Sequence, residues 1–281
     1  MHCGFIGRTS FVETTYLYGA HVHANGIRQH YLRYGGKGTP LIVIPGITSP
    51  AITWGFVAEV FGKHYDTYVL DVRGRGISQG GPDLDYGLDA MAKDLTAFAE
   101  ALQLESNIFV GHSMGGRIAI RAARQSPSLV QKIVLLDPPV GGPGRRPYPI
   151  PEEWLLKSLS ATEKGATLEE MRAFVPTWTD FHVRLRAEWL PTCDLRAVRT
   201  AYRGFQEDDI HADLPHLKMP VLLIVAGKAG VVLPEDIAEF RRLVPSFQVE
   251  TVLNAPHLIP WEDFNGFFRA FQTFLGKDLL A

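Results

Sequence analysis

Ser113 stands in Gly111-His112-Ser113-Met114-Gly115-Gly116, after the apolar run Ile108-Phe109-Val110 and before Ile118-Ala119-Ile120-Arg121-Ala122-Ala123. The first run reads as a strand and the second as a helix, so the residues between them must turn sharply. In such a turn the positions two before and two after the serine crowd each other, and glycine tolerates the approach because it has no Cβ. The hydroxyl is then held above the sheet at a helix N-terminus, and the Met114 N–H points to where a tetrahedral oxyanion would form. The plainer reading is a glycine-rich helix start with Ser113 as its N-cap. A strand on one side and a helix on the other favour a nucleophile.

A serine hydroxyl needs a base. Of ten histidines, His257 is placed best, in Asn254-Ala255-Pro256-His257-Leu258. It follows a strand-like run, Gln248 to Leu253, and precedes a helix with Phe264, Phe267, Phe268, Phe271 and Phe274 on its apolar face. A histidine on that loop can lean over the sheet edge toward a serine. By itself it would read as a loop histidine bonded locally.

The elements that must hold these residues follow from hydrophobic patterning. Tyr18 to His23 and Arg28 to Tyr34 flank Asn25-Gly26, a hairpin signal. Short apolar strands then alternate with helical patterns, which implies crossover connections and a mostly parallel sheet. Leu41 to Ile44 is wholly apolar, as a strand covered on both faces should be. Thr67 to Leu70, the strand before Ser113, Lys132 to Leu136, Pro220 to Ala226 and the strand before His257 complete eight. Leu88, Met91, Leu95, Phe98 and Leu102 recur at helical spacing and define one buried face. Gly35-Gly36-Lys37-Gly38-Thr39-Pro40 is a turn and not a phosphate loop, because no helix follows it.

From about 138 to 215 the pattern changes. Gly141 to Pro149 is rich in glycine and proline and continues neither helix nor strand. Helical patterns follow without strands at Glu152 to Leu159, Leu168 to Phe174, Phe181 to Trp189 and Leu195 to Phe205. This predicts a helical cap after the sixth strand, closing over a site and excluding water. In its last helix Leu195, Val198, Tyr202 and Phe205 form an apolar stripe, read as packing. Residues 1–15 read as an N-terminal extension and 16–281 as one α/β domain.

With 46% hydrophobic residues and a formal net charge of −2, the chain offers no electrostatic footprint for nucleic acid. Two cysteines, Cys3 and Cys193, make no disulfide framework. Both read as bystander thiols in a reducing compartment, the cytoplasm. No signal peptide and no membrane span is read in the sequence. His2 beside Cys3, and His21 with His23, are the only hints of metal ligands, and read as a tail and one strand face. No cofactor is expected.

Four stretches together resemble the α/β-hydrolase superfamily across nearly the whole chain. They are Val43-Ile44-Pro45-Gly46-Ile47 after the third strand, Asp71-Val72-Arg73-Gly74-Arg75-Gly76-Ile77-Ser78 after the fourth, the Ser113 turn, and His257 after the eighth. The resemblance implies an eight-stranded, mostly parallel sheet with flanking helices. It also implies a Ser-acid-His triad and an oxyanion hole from the N–H groups of Ile47 and Met114. In most relatives the acid follows the seventh strand. Here that stretch reads Gly227-Lys228-Ala229-Gly230-Val231-Val232-Leu233-Pro234, and the acid position is Gly230. Glu235 and Asp236 read as first-turn helix charges. Asp137 ends the apolar sixth strand at the sheet's carboxyl edge, where some superfamily members place the acid. Its plainer reading is a cap on the turn into Pro138-Pro139.

The set Ser113, Asp137 and His257 resembles the layout of N-formylmaleamate deformylases, enzymes of aerobic nicotinate breakdown in bacteria. That resemblance implies hydrolysis of an N-formyl amide to maleamate and formate, and a small-molecule substrate with a carboxylate. Thr48, Ser49, Trp54 and His112 are the candidate substrate contacts, and His30 and His211 are further histidines near them by topology. Arg184, Arg186, Arg196, Arg199 and Arg203 are candidate cations, but a solvated, salt-bridged surface is the stronger reading of each. The residues also leave open a carboxylesterase, a lactonase, a carbon–carbon bond hydrolase, or a non-catalytic receptor on the same fold.

Overall fold

The computed structural model describes residues 13–228 and 230–281. Most of the expected extension, with His2 and Cys3, lies outside the described residues. Thr15 already belongs to the fold: its hydroxyl donates to Glu59 Oε2 at 2.9 Å, and its carbonyl accepts from Gly35 N–H at 2.7 Å.

Eight strands form one sheet: β1 Tyr16–Ala24, β2 Ile27–Tyr34, β3 Pro40–Ile44, β4 Asp66–Leu70, β5 Asn107–His112, β6 Val130–Leu136, β7 Val221–Ala226 and β8 Phe247–Val252. Their order is β1-β2-β4-β3-β5-β6-β7-β8. The two pairings that β2 makes are antiparallel and the other five are parallel. Asn25 and Gly26 close the β1–β2 hairpin at φ 47° and 74°, the left-handed pair that a tight hairpin turn requires.

The helices are α1 Gly55–Gly62, α2 Leu88–Ala101, α3 Met114–Gln125, α4 Glu152–Glu163, α5 Leu168–Arg172, α6 Asp180–Trp189, α7 Leu195–Glu207, α8 Pro234–Leu243, α9 Ile259–Glu262, α10 Phe264–Arg269 and α11 Gln272–Leu275. Apolar strand residues alternate between two cores. In β3, Leu41 and Val43 pack with α1, α10 and α11, and Ile42 and Ile44 pack with α2 and α3. That is why the central strands are apolar at every position.

Helices α4 to α7 lie between β6 and β7. They are tied to the sheet through backbone groups. Asp194 N–H donates to Gly74 O at 2.8 Å. The Arg117 guanidinium, inside α3, donates to the carbonyls of Gly204 and Asp208 at 2.9 and 2.7 Å. One expectation changes in α7: Leu195 is exposed, and the buried face is Ala197, Val198, Ala201 and Phe205. Leu195 is the first residue after the Asp194 cap, before the helix has turned its side chains inward.

Candidate active site

β5 ends at His112 and α3 begins at Met114, so Ser113 alone makes the turn, at φ 53° and ψ −118°. A non-glycine residue pays strain to sit there. The neighbours explain how it is held. A Cβ at Gly111 would come within 2.4 Å of Gly115 O, and one at Gly115 within 1.9 Å of Ile44 O. Ser113 N–H donates to Leu136 O at 2.9 Å, so the turn continues the β5–β6 ladder.

His257 lies between β8 and α9, and its Nδ1–H donates to Asp137 Oδ2 at 2.7 Å. Asp137 follows β6 at φ 43° and is wholly buried. Its carboxylate also accepts from the N–H groups of Val231 at 3.0 Å and Val232 at 3.3 Å. The loop that carries the acid in most relatives therefore donates two hydrogen bonds to an acid from elsewhere. A Cβ at Gly230 would stand 2.7 Å from Ala226 O and 3.4 Å from Asp137 Oδ1. The Ala226 carbonyl leaves no room there for a side chain, and the Asp137 carboxylate lies just beyond. Asp236 instead accepts from Leu233 N–H at 2.7 Å and pairs with Arg146, at the start of α8. Glu235 is exposed.

The other ring nitrogen, His257 Nε2, meets the Tyr148 hydroxyl at 3.3 Å. Burial pushes the Tyr148 phenol above its ordinary pKa, against a hydrogen bond with Ser113. Tyr148 thus touches the histidine and shares the cavity wall with the serine. Sequence reading passed it over, because Gly141 to Pro149 has no periodicity to assign a face.

Ile47 and Met114 flank Ser113 at the ends of β3 and β5, and neither N–H donates to another group among the described residues. Their loops are braced from behind. Arg75 is buried and donates to Ile47 O at 3.1 Å, Arg73 O at 2.8 Å and Ala197 O at 3.0 Å. Asp71 accepts from Ala51 N–H at 2.6 Å and from His30 Nδ1 at 2.7 Å. A Cβ at Gly76 would overlap that carboxylate at 2.1 Å. The Asp71 to Ser78 run therefore positions the loop after β3 and does not face the cavity.

A cavity of about 410 Å³ opens above Ser113 and His257. Its far wall is mostly apolar, with Trp154, Leu155, Phe174, Val175 and Trp178. Thr48, Ser49 and His112 line it, as does Ile47. His112 is buried, donates Nε2–H to His257 O at 3.1 Å, and is held neutral by burial and by His257, with its pKa lowered to about 3.

Trp54 is not on the cavity wall. It ends the short turn Ala51–Trp54, which carries the ring inward, 5.4 Å from His112 and 5.0 Å from Trp261. His30 braces Asp71, and His211 bonds Val140 O at 3.0 Å; neither reaches the cavity. Arg184, Arg196, Arg199 and Arg203 are exposed, and of the five candidate cations Arg186 alone lines the cavity. Cys193 is buried and burial pushes its thiol up to about 12, which suits no nucleophile. Among the described residues no cluster of three or more His, Cys, Asp or Glu could hold a metal, and no helix is long and apolar enough to cross a membrane.

Likeness to known proteins covers the same ground. N-formylmaleamate deformylase of Pseudomonas putida is 57% identical over 267 residues, 95% of this chain and all of that one. A crystal structure of the N-formylmaleamic acid deformylase of Pseudomonas putida S16 superposes with a TM-score of 0.88 at 52% identity, covering 91% of this chain and 100% of that chain. The 2-(acetamidomethylene)succinate hydrolase of Mesorhizobium japonicum is 26% identical, over 81% of this chain and 84% of its own. The model of the alpha/beta hydrolase fold matches residues 39–264, from the start of β3 to α10. This chain belongs to the alpha/beta hydrolase family.

Proposed function

We propose that this chain hydrolyses the N-formyl amide bond of N-formylmaleamate, releasing maleamate and formate, with Ser113 as nucleophile, His257 as base and Asp137 as the acid that orients it. The observation that carries the mechanism is the 2.7 Å bond from His257 Nδ1 to the buried Asp137. It leaves Nε2 on the side of the Tyr148 hydroxyl, in the wall of the cavity that Ser113 and His257 both line. The full-length likeness to a deformylase supports the substrate.

The Ser113 hydroxyl attacks the formyl carbon and its proton passes to His257 Nε2. Asp137 stabilises the imidazolium. The N–H groups of Ile47 and Met114 hold the oxyanion. As the tetrahedral species collapses, the C–N bond breaks and the Nε2 proton goes to the departing nitrogen, giving maleamate. Water then attacks the formyl ester. His257 takes the water proton and returns it to Ser113 Oγ, and formate leaves. In the free enzyme the Tyr148 hydroxyl occupies the reach of Nε2 at 3.3 Å. That is where the leaving nitrogen must come, so Tyr148 positions it once substrate is bound. The substrate is a small carboxylate, and the reaction runs in the cytoplasm as a step of nicotinate degradation.

The test is formate release from N-formylmaleamate beside p-nitrophenyl acetate and small acyl amides. Formate release with labelling of Ser113 by a serine-directed phosphonate is expected. Ester hydrolysis without any N-formyl amide turnover would replace this reading with a carboxylesterase.

A further inference from the structure

Among the described residues four arginines are buried, and three are held by several close partners. Arg73 pairs with Asp94 through two nitrogens at 2.5 Å. Arg75 donates to three carbonyls between 2.8 and 3.1 Å. Arg117 donates to four carbonyls between 2.7 and 3.2 Å. Arg186 is different. It is 5% exposed, and among the described residues its hydrogen bonds go only to the carbonyl and hydroxyl of Thr48, both at 3.4 Å. Its buried Nε has no partner among those residues. The Trp154 ring lies 5.8 Å from the guanidinium.

Among the described residues no carboxylate pairs with this charge. The group nearest in electrostatic effect is Cys193, whose thiol is pushed up to about 12 and is neutral at pH 7. Burial lowers the Arg186 guanidinium to about 10, so it stays cationic. A buried cation without a counter-charge is costly, and a ligand anion removes the cost. Arg186 lines the same cavity as Ser113. It reaches Thr48, the residue next to Ile47, and so stands one residue from the proposed oxyanion donor. Glu262, the one carboxylate on the cavity wall among the described residues, is engaged by the Thr177 hydroxyl. It repels an anion from its own side.

We propose that Arg186, with the Thr48 hydroxyl, is the carboxylate anchor of this cavity and sets its preference for small anionic ligands over neutral ones. This rests on the proposed deformylase reading only for the identity of the ligand. A short amide with its acyl carbon at Ser113 would have its far carboxylate in the cavity that Arg186 also lines.

The experiment is calorimetric binding to the Ser113→Ala protein, which cannot turn ligand over. Two ligand pairs differ only in carboxylate against carboxamide: maleamate with maleamide, and butyrate with butyramide. Each anion is expected to bind about 100-fold more tightly than its neutral partner, as for a buried charge pair. Arg186→Gln in the same background should erase the preference, and Arg186→Lys should restore part of it as a point charge without the fork. Circular dichroism and melting report whether each variant folds, and the ligand pairs on the Arg186 protein stand without them. Preference for butyrate without affinity for maleamate keeps the anchor and removes maleamate as product. Equal or undetectable binding of anion and amide in both pairs overturns the anchor, as does a preference that survives in folded Arg186→Gln, whether or not formate is released.

Discussion

The carboxyl edge of the sheet and the helical segment above it meet at one cavity but are built by different means. At the sheet edge Ser113 and Asp137 are continuations of backbone ladders. Ser113 N–H bonds β6 through Leu136 O at 2.9 Å, and Asp137 N–H bonds β7 through Ile224 O at 2.9 Å. Each sits at positive φ, a strain that closely fitted neighbours on both sides sustain. On the other side, Tyr148 lies in a loop and Arg186 on α6, and each reaches the cavity through its side chain. On the proposed mechanism, the backbone of one region fixes the chemistry and the side chains of the other choose the ligand. Damage at the sheet edge should therefore fall on rate, and damage above it on discrimination.

The sharpest break is Ser113→Ala. Loss of a triad nucleophile typically costs on the order of 10⁴ to 10⁶ in kcat, with a residue of rate from the oxyanion donors. Ligand affinity and melting temperature should stay close to those of the parent protein. Single-turnover formate release within tenfold of the parent would take Ser113 out of the mechanism.

Next is Asp137→Asn, expected to cost about 10⁴ in kcat because the amide favours the wrong imidazole tautomer. Asp236→Asn breaks the Arg146 pair at the α8 start and should change stability by about 1 kcal/mol while leaving kcat within a few fold. The reverse ranking, read from steady-state kinetics on both variants, would move the acid to the loop after β7.

The sheet-edge half of the site is the half that a sequence shows. Glycines at 111 and 115 are forced by backbone contacts below 2.5 Å, and such contacts write themselves into residue type. Asp137 could be found because Gly230 has no side chain and an apolar strand ends at Leu136. The upper half is written in tertiary packing. Arg184 and Arg186 are two residues apart, and composition cannot say which is inside. One local signal existed: Val183 and Arg186 are three apart, share a helix face, and are the buried residues of α6. Tyr148 had no such neighbour, and topology placed Trp54 at the pocket although the turn before α1 rotates it behind His112.

Tyr148→Phe tests the boundary between the two regions. Its hydroxyl contacts Nε2 of the sheet-edge histidine from the upper side. Removing one hydrogen bond of this kind is expected to lower kcat about tenfold. If Tyr148 positions the leaving nitrogen, N-formyl amides should lose more than p-nitrophenyl acetate, whose leaving group needs no proton. Equal losses on both would make Tyr148 a packing residue.

The last effect is absent at neutral pH, where it is the smallest, and appears only in acid, at His112. Its folded-state pKa of about 3 lies far below the ordinary 6.5, first because of burial and then because of His257. Between those values the unfolded chain binds a proton that the folded one refuses. Stability therefore rises with pH across this window, is complete above about 6.5, and is lost as pH falls toward 3. At one pKa unit per roughly 1.4 kcal/mol, His112 alone would remove up to about 3 kcal/mol by pH 4. His112→Gln can keep a donor toward His257 O and has no proton to gain. Denaturant unfolding at pH 7 and pH 4 should therefore show a smaller acid loss in His112→Gln than in the parent. Identical losses would mean that His112 is reached by water, and that the sheet-edge wall is looser than its packing against Trp54 and His257 implies.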